Sequence, residues 1–259
     1  VIHIVDQIIS VGIDNHWRIN MQEWVKDFLN EHNDKNIFKL PPIPESLGND
    51  LIKQFEWIAN QSNTPWLEII GVNPPYKEML AEAQGLKDMF VYHRGLENGH
   101  NGWRSLAIHG IEATKTNVAE EYGLNSREVE YHWTEIQDRC PVTTEYFKNQ
   151  FPYRRYQRLR FMLLEAGGFI APHTDNAVSS LTSAINISLN NPTDCRLTTT
   201  VGTIPFKDQG STFLFNNHYQ HTVHNNSDTD RYHIIVHGEW KSPEWQQLVV
   251  NSYKRALNG

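Results

Sequence analysis

Along the first half of the chain, apolar residues recur at intervals of three and four. Between Met21 and His32 they fall at Trp24, Phe28 and Leu29, and between Asn49 and Asn60 at Leu51, Ile52, Phe55 and Ile58. That is the spacing of one helix face. The pattern predicts further helices over Tyr76–Met89 and Ser126–Asp138 and a short one over Thr143–Asn149. Leu40-Pro41-Pro42-Ile43-Pro44 reads as an extended connector. Strands are expected at Phe90–His93 and Trp103–His109, around the glycine-bearing turn Asn98–Gly102.

From Tyr153 the texture changes to short apolar runs with turn residues between them, the signature of a sandwich or barrel. Expected strands are Arg158–Leu164, Phe169–Asp175 after a turn at Gly167-Gly168, Leu181–Leu189, Arg196–Val201, Ser211–Phe215, Gln220–His224 and Arg231–His237. Ser242-Pro243-Glu244 then supplies an N-cap, a proline at the first helical position and an acid in the first turn of a closing helix to Leu257. The expectation is an α+β chain organised as one domain. Residues 153–240 would form a double-stranded β-helix (a cupin-like jelly roll), residues 1–152 a mainly helical buttress, and 241–259 the closing helix.

Composition narrows the classes. Net charge is −7 with histidine neutral, which gives no general attraction to nucleic acid or to an anionic membrane. No stretch is apolar for long enough to span a bilayer. Cys140 and Cys195, the only cysteines, cannot build a disulfide framework or a cysteine zinc site. The opening Val1–Asp6 lacks the positive region of a signal peptide. A cytoplasmic protein acting on a small molecule or peptide is expected, with a homodimer among the open assemblies.

The candidate chemistry lies in Ile170-Ala171-Pro172-His173-Thr174-Asp175. On an extended chain, residues two apart point to the same face, so His173 and Asp175 can reach one metal ion. Two histidines and one carboxylate on one face of an octahedral ion are the ligand set of non-haem iron(II) oxygenases. The second histidine has three candidates, His218, His221 and His224. His221 lies on a predicted strand facing the same way as Val223, and its place ten residues before Arg231 favours it. The plainer alternative is a loop histidine beside a turn-capping aspartate. Arg231, His233, Ile235 and His237 would share the inner face of the last strand. An arginine inside a small barrel is costly unless it meets an anion, and its planar fork fits a carboxylate; otherwise it reaches solvent beside Asp228 and Asp230.

With those residues in view, the second half resembles the aspartyl/asparaginyl β-hydroxylase family of iron(II)- and 2-oxoglutarate-dependent oxygenases. The matching text is Arg158-Leu159-Arg160, then Leu164–Asp175, then Phe213–Asn225 with its His221-Thr222-Val223-His224-Asn225, and finally Arg231–Trp240. The resemblance implies that His173, Asp175 and His221 hold iron(II) and that Arg231 pairs with the distal carboxylate of 2-oxoglutarate. Oxidative decarboxylation of that co-substrate with O2 would be coupled to hydroxylation of an unactivated C–H bond, giving succinate and CO2. Asn186 falls where many members carry a histidine near the co-substrate, and Met162 where some carry a small polar partner, so Arg160 or His233 takes that part. The first guess for substrate is an amino acid or an amino-acid side chain.

Residues 1–152 do not carry the resemblance. Asn101–Gly110 is their most suggestive piece, with Trp103 and Arg104 as possible substrate-side residues beside Arg160; the competing reading is a packed edge strand. Three other functions stay open: a cupin-type metalloenzyme independent of 2-oxoglutarate, a non-catalytic jelly-roll binding module, and a zinc hydrolase on the same ligands.

Overall fold

Two neighbouring glycines shape the sheet. Where the sequence suggests two strands and a turn, the computed structural model has one strand of 19 residues, β5 (Arg155–His173). Gly167 takes a φ of +70°, and a Cβ on Gly168 would meet the carbonyl oxygens of Glu165 and Asn101 at 2.8 and 2.9 Å. Only glycine fits both positions without strain. The pair therefore carries the strand through without ending it, which corrects the expected turn. The structure describes residues 22–258 apart from 33–34, 62, 176–180, 182–183, 208–209 and 240–241. Val1–Asp6 and Trp240 lie outside the described residues.

β5 has different partners on either side of the glycines. Its first part pairs with β11 (Arg231–Glu239), placing Arg231 opposite Leu164 and His237 opposite Arg158. Its end pairs with β10 (His221–Asn225), placing His221 opposite His173. The other strands are β1 (Trp66–Glu68), β6 (Ala184–Ser188), β7 (Cys195–Thr199), β8 (Gly202–Thr203) and β9 (Thr212–Phe215). They complete an antiparallel order β1-β9-β6-β11-β5-β10-β7-β8. Side chains from β5, β6, β7, β9, β10 and β11 line one cavity, so the sheet curls on itself as the expected double-stranded β-helix. β3 (His100–Gly110) runs along the other edge of β5, with β2 (Val91–Tyr92) and β4 (His132–Trp133) attached to it.

The helices are α1 (residues 22–32), α2 (Leu51–Ala59), α3 (Tyr76–Gly85), α4 (Pro141–Asn149) and α5 (Pro243–Asn258). Period-two alternation decides what they cover. Leu159, Phe161 and Leu163 of β5, Ile185 and Ile187 of β6, and Tyr232, Ile234 and Val236 of β11 share one apolar core with Phe55 and Ile58 of α2 and Trp245, Val249 and Tyr253 of α5. Each such side chain stabilises the fold by roughly 1.5–3 kcal/mol on burial. The closing helix starts as the sequence predicts, with the Trp245 amide donating to Ser242 Oγ at 3.1 Å. Among the described residues no helix is long and apolar enough to cross a membrane.

Three expectations need correction. No α-helix covers Ser126–Asp138; the region holds β4 and a 3-10 turn at Glu135–Arg139. Thr134 Oγ1 donates to the Ala107 carbonyl at 2.7 Å, and His132–Trp133 pair with His109–Gly110. Pairing with β3 here outweighs the local apolar spacing. In α1 the buried residues are Val25 and Phe28, while Trp24 is exposed, and in α2 Ile52 points to solvent.

Candidate active site

Register across β5 and β10 brings His173 and His221 face to face, with ring centroids 4.4 Å apart. His173 Nδ1 lies 2.7 Å from the Ala171 carbonyl and His221 Nδ1 lies 2.9 Å from the Tyr219 carbonyl. A carbonyl only accepts, so both Nδ1 atoms carry the proton and both Nε2 lone pairs are left for a cation. Those Nε2 atoms converge on Asp175, at 3.1 Å from Oδ1 and 3.9 Å from Oδ2. Asp175 is held by the turn after β9: its amide donates to the Asn217 carbonyl at 3.1 Å, and Asn217 Nδ2 donates to Oδ2 at 3.3 Å.

The ligand atoms of His173, Asp175 and His221 all lie within 4.8 Å of one another, a group that could hold a metal ion. Burial alone would raise the Asp175 carboxyl, but when His173 also carries a proton on Nε2 its hydrogen bond, with the charges of His221 and His173, outweighs burial and holds the group below the usual carboxylate range; a cation takes the place of that proton. Burial and the neighbouring His173 push His221 down to about 4. An ionised carboxylate between two Nε2 lone pairs is the donor set of a divalent iron site. His218 is exposed in the turn, and His224 points away from the cavity; neither joins the group.

The cavity has a volume of about 500 Å³. As the alternation predicts, Arg231, His233, Ile235 and His237 all face it, and Asn186, Arg160 and Trp103 line it too. Arg231 is 2% exposed; its Nη1 lies 3.2 Å from His233 Nδ1, and its guanidinium sits 5.2 Å from the Phe206 ring centroid. Its Nη2 is buried without a partner. Burial lowers the Arg231 pKa and, followed by the positive charges of Arg231 and Arg160, lowers that of His233 well below its ordinary value. Neutral His233 can then accept from Arg231, and the remaining N–H groups suit a carboxylate. The alternative of a solvent-reaching Arg231 is thereby removed.

Arg104 is not part of this wall. It alternates to the other face of β3, where Nε meets Glu165 at 2.7 Å and the guanidinium lies over Tyr92. Two residues that the sequence reading did not bring to the site, His100 and Arg158, are there, together with His93-Arg94, a second pocket-wall candidate in the sequence. His100, expected in a turn, opens β3; its Nδ1 accepts the Ala171 amide at 3.1 Å and its ring lies 5.4 Å from that of His173. Arg158 lines the cavity, as does Arg94. The even-numbered arginines flanking Leu159 were the available signal, since they share a face with Met162.

Asn225, which closes the motif begun by His221, has a structural task. Its side-chain amide donates to the carbonyls of Leu164, Glu165 and Thr229 at 3.1, 3.1 and 2.9 Å, tying the end of β10 to the bend of β5. Thr222 Oγ1 adds a bond to the Ile170 carbonyl at 2.5 Å.

A jelly roll carrying two histidines and an aspartate beside a buried arginine defines a metal-dependent enzyme. The aspartyl/asparaginyl β-hydroxylase family matches over residues 76–240, well over half of the chain. The chain belongs to that family, and it is a hydroxylating dioxygenase dependent on iron(II) and 2-oxoglutarate. The match also corrects the sequence reading, because it begins at α3 and takes in β2–β4, which the resemblance had left aside. No curated protein sequence matches the chain. Solved structures similar to it include a prolyl-4-hydroxylase from Pseudomonas putida, at 11% identity over 73% of this chain and 99% of that one, with a TM-score of 0.41. An α-ketoglutarate-dependent epimerase of nogalamycin biosynthesis matches at 16% identity over 71% and 80%, also with a TM-score of 0.41. A 2OG-Fe(II) oxygenase family protein from Burkholderia pseudomallei matches at 12% over 77% and 91%, with a TM-score of 0.38.

Proposed function

We propose that His173, Asp175 and His221 hold the iron, that Arg231 with His233 seats the distal carboxylate of 2-oxoglutarate, and that an amino acid or amino-acid side chain is hydroxylated. The observation that carries the assignment is the convergence of both Nε2 atoms and one carboxylate in the cavity that also holds the unpartnered Nη2 of Arg231. When bound, iron(II) with the 2-oxo acid and O2 supplies the oxidising power for C–H hydroxylation.

The protein's own part is positioning. The carbonyls of Ala171 and Tyr219 fix both imidazole tautomers, as partners behind a metal ligand do. Asn217 orients Asp175. Asn186 lines the wall between Ile235 and Phe213, facing the co-substrate. Trp103, whose indole N–H is buried without a partner, and Arg160 form the side from which the substrate meets the site.

Purified anaerobically, the protein is expected to take up iron(II) and, with O2 admitted, to turn 2-oxoglutarate into succinate. Asp175→Ala should lose the iron while keeping its far-UV spectrum. Unchanged iron affinity in that variant would remove Asp175 from the ligand set.

A further inference from the structure

The inner wall of the barrel carries two guanidinium–imidazole pairs of the same design. Arg231 Nη1 lies 3.2 Å from His233 Nδ1, and Arg160 Nη2 lies 3.2 Å from His237 Nε2. Both arginines are almost fully buried, at 2% and 4% exposure, and each keeps one buried nitrogen without a partner: Nη2 of Arg231 and Nε of Arg160. His233 and His237 are four residues apart on β11, which is roughly 13 Å along a strand. A single carboxylate cannot serve both ends.

The Arg160 end is built as rigidly as the other. Its Nη1 donates to the Thr116 carbonyl at 2.7 Å. Arg158 lies opposite His237 and faces the same cavity. Among the described residues no carboxylate forms an ion pair with Arg158 or Arg160, and the nearby Glu121 is already bound by Arg94 at 2.5 Å. The three arginines and one glutamate leave this end with a charge of about 3 − 1 = +2. Of the three only Arg160 is fully buried, and Asp175 offsets its charge from across the cavity without an ion pair; a buried charge without a paired partner is expensive, and a ligand of opposite charge removes the cost.

Resting on the assignment of Arg231 to 2-oxoglutarate, we infer that the substrate is a small organic acid whose carboxylate is clamped by Arg160 with Arg158. Size agrees: a cavity of about 500 Å³ must hold co-substrate and substrate together, at the scale of small-molecule sites. The wall also says what the substrate lacks. Its only carboxylates among the described residues are Glu121, held by Arg94, and Asp175, held between the histidines. An ammonium group inside the cavity would find no anion of its own. Acids with a blocked or absent amino group therefore fit better than zwitterions, which sharpens the amino-acid reading toward N-acylated or amine-free acids.

The test uses iron-loaded enzyme with 2-oxoglutarate and a panel of small carboxylic acids, each paired with its primary amide and, where one exists, its free α-amino counterpart. Substrate-stimulated succinate release is expected from acids and not from their amides. Arg160→Gln should raise KM for the stimulating acid at least about 10-fold, the loss of one charge-assisted contact, with KM for 2-oxoglutarate changed less than about twofold; Arg160→Lys should recover part of the loss. Arg158→Gln, at a less buried position, provides a second variant should Arg160→Gln fold poorly. Stimulation by amides equal to that by acids, or by none of the acids, would overturn the inference, as would a rise in the 2-oxoglutarate KM in Arg160→Gln. If the wild type shows no 2-oxoglutarate turnover or binding, the assignment of Arg231 fails instead.

Discussion

The two faces of β11 invite comparison because they belong to the same nine residues. Tyr232, Ile234 and Val236 point outward into the apolar core under α2 and α5, whereas Arg231, His233 and His237 point inward to the cavity. One face is assembled for packing. The other buries guanidinium and imidazole groups that cost stability when unpaired, and only ligands make that arrangement favourable. β5 repeats the division, with Leu159, Phe161 and Leu163 outward and Arg158 and Arg160 inward. In β11, and in β5 before its glycines, stability and chemistry are sorted by parity of residue number.

Substitutions on each face should therefore fail in different ways. The largest effect is expected from Asp175→Ala, which should weaken iron(II) binding by more than the ~10–100-fold that follows loss of an outer-sphere partner, measured by equilibrium dialysis. On the outer face, Phe161→Ala empties a fully buried site and should cost about 3–5 kcal/mol in urea unfolding, while the folded fraction keeps its iron affinity. An iron defect in that variant would dissolve the division between faces. Arg231→Ala comes next. It should raise KM for 2-oxoglutarate by roughly 30-fold or more, the range of ~2–5 kcal/mol for truncating one side of a buried charged hydrogen-bond pair, with little change in iron affinity.

A pH effect follows from the inner wall. Burial, reinforced by the charges of neighbouring arginines, lowers the pKa of His93 and His233 well below 6.5. In the unfolded chain these groups bind protons near pH 6.5 while in the folded chain they do not. Stability should therefore be complete above that pH and fall as pH drops below it, by up to about 1.4 kcal/mol per pH unit for each group. Urea midpoints at pH 7.5 and 5.5 in His233→Asn and wild type would isolate the His233 share; equal slopes would mean it is not held neutral. The smallest effect is expected for Arg104→Ala. Its pair with Glu165 is partly exposed, so the change should cost at most about 1 kcal/mol and leave turnover intact.

Much of this division was legible in the sequence, because period two is a strong constraint once a strand is recognised. Arg231, His233, Ile235 and His237 could be placed on one face by counting alone; Asp175 meets His173 as expected, but it lies past the end of β5 and is held there by Asn217. The failures share a cause. Ser126–Asp138 has helix-like spacing, but Thr134 and β4 bind it to β3, a partner far away in sequence. Gly167-Gly168 looks like a turn because glycine serves turns and bends equally; pairing on both sides of it, to β11 and then β10, decides the outcome. Arg104 was placed beside Trp103 in the pocket, though neighbours on a strand face opposite ways. The Arg160–His237 pair could not be foreseen, since it depends on the antiparallel register of β5 with β11.

The most direct test of the inner wall as the catalytic one is anaerobic titration of the iron(II)-loaded protein with 2-oxoglutarate, following the visible charge-transfer band of a chelated 2-oxo acid. The band should appear in wild type, vanish in His221→Ala, and in Arg231→Ala require much higher 2-oxoglutarate. A folded, iron-loaded wild type that gives no band, or an Arg231→Ala titration superimposable on wild type, would contradict the account.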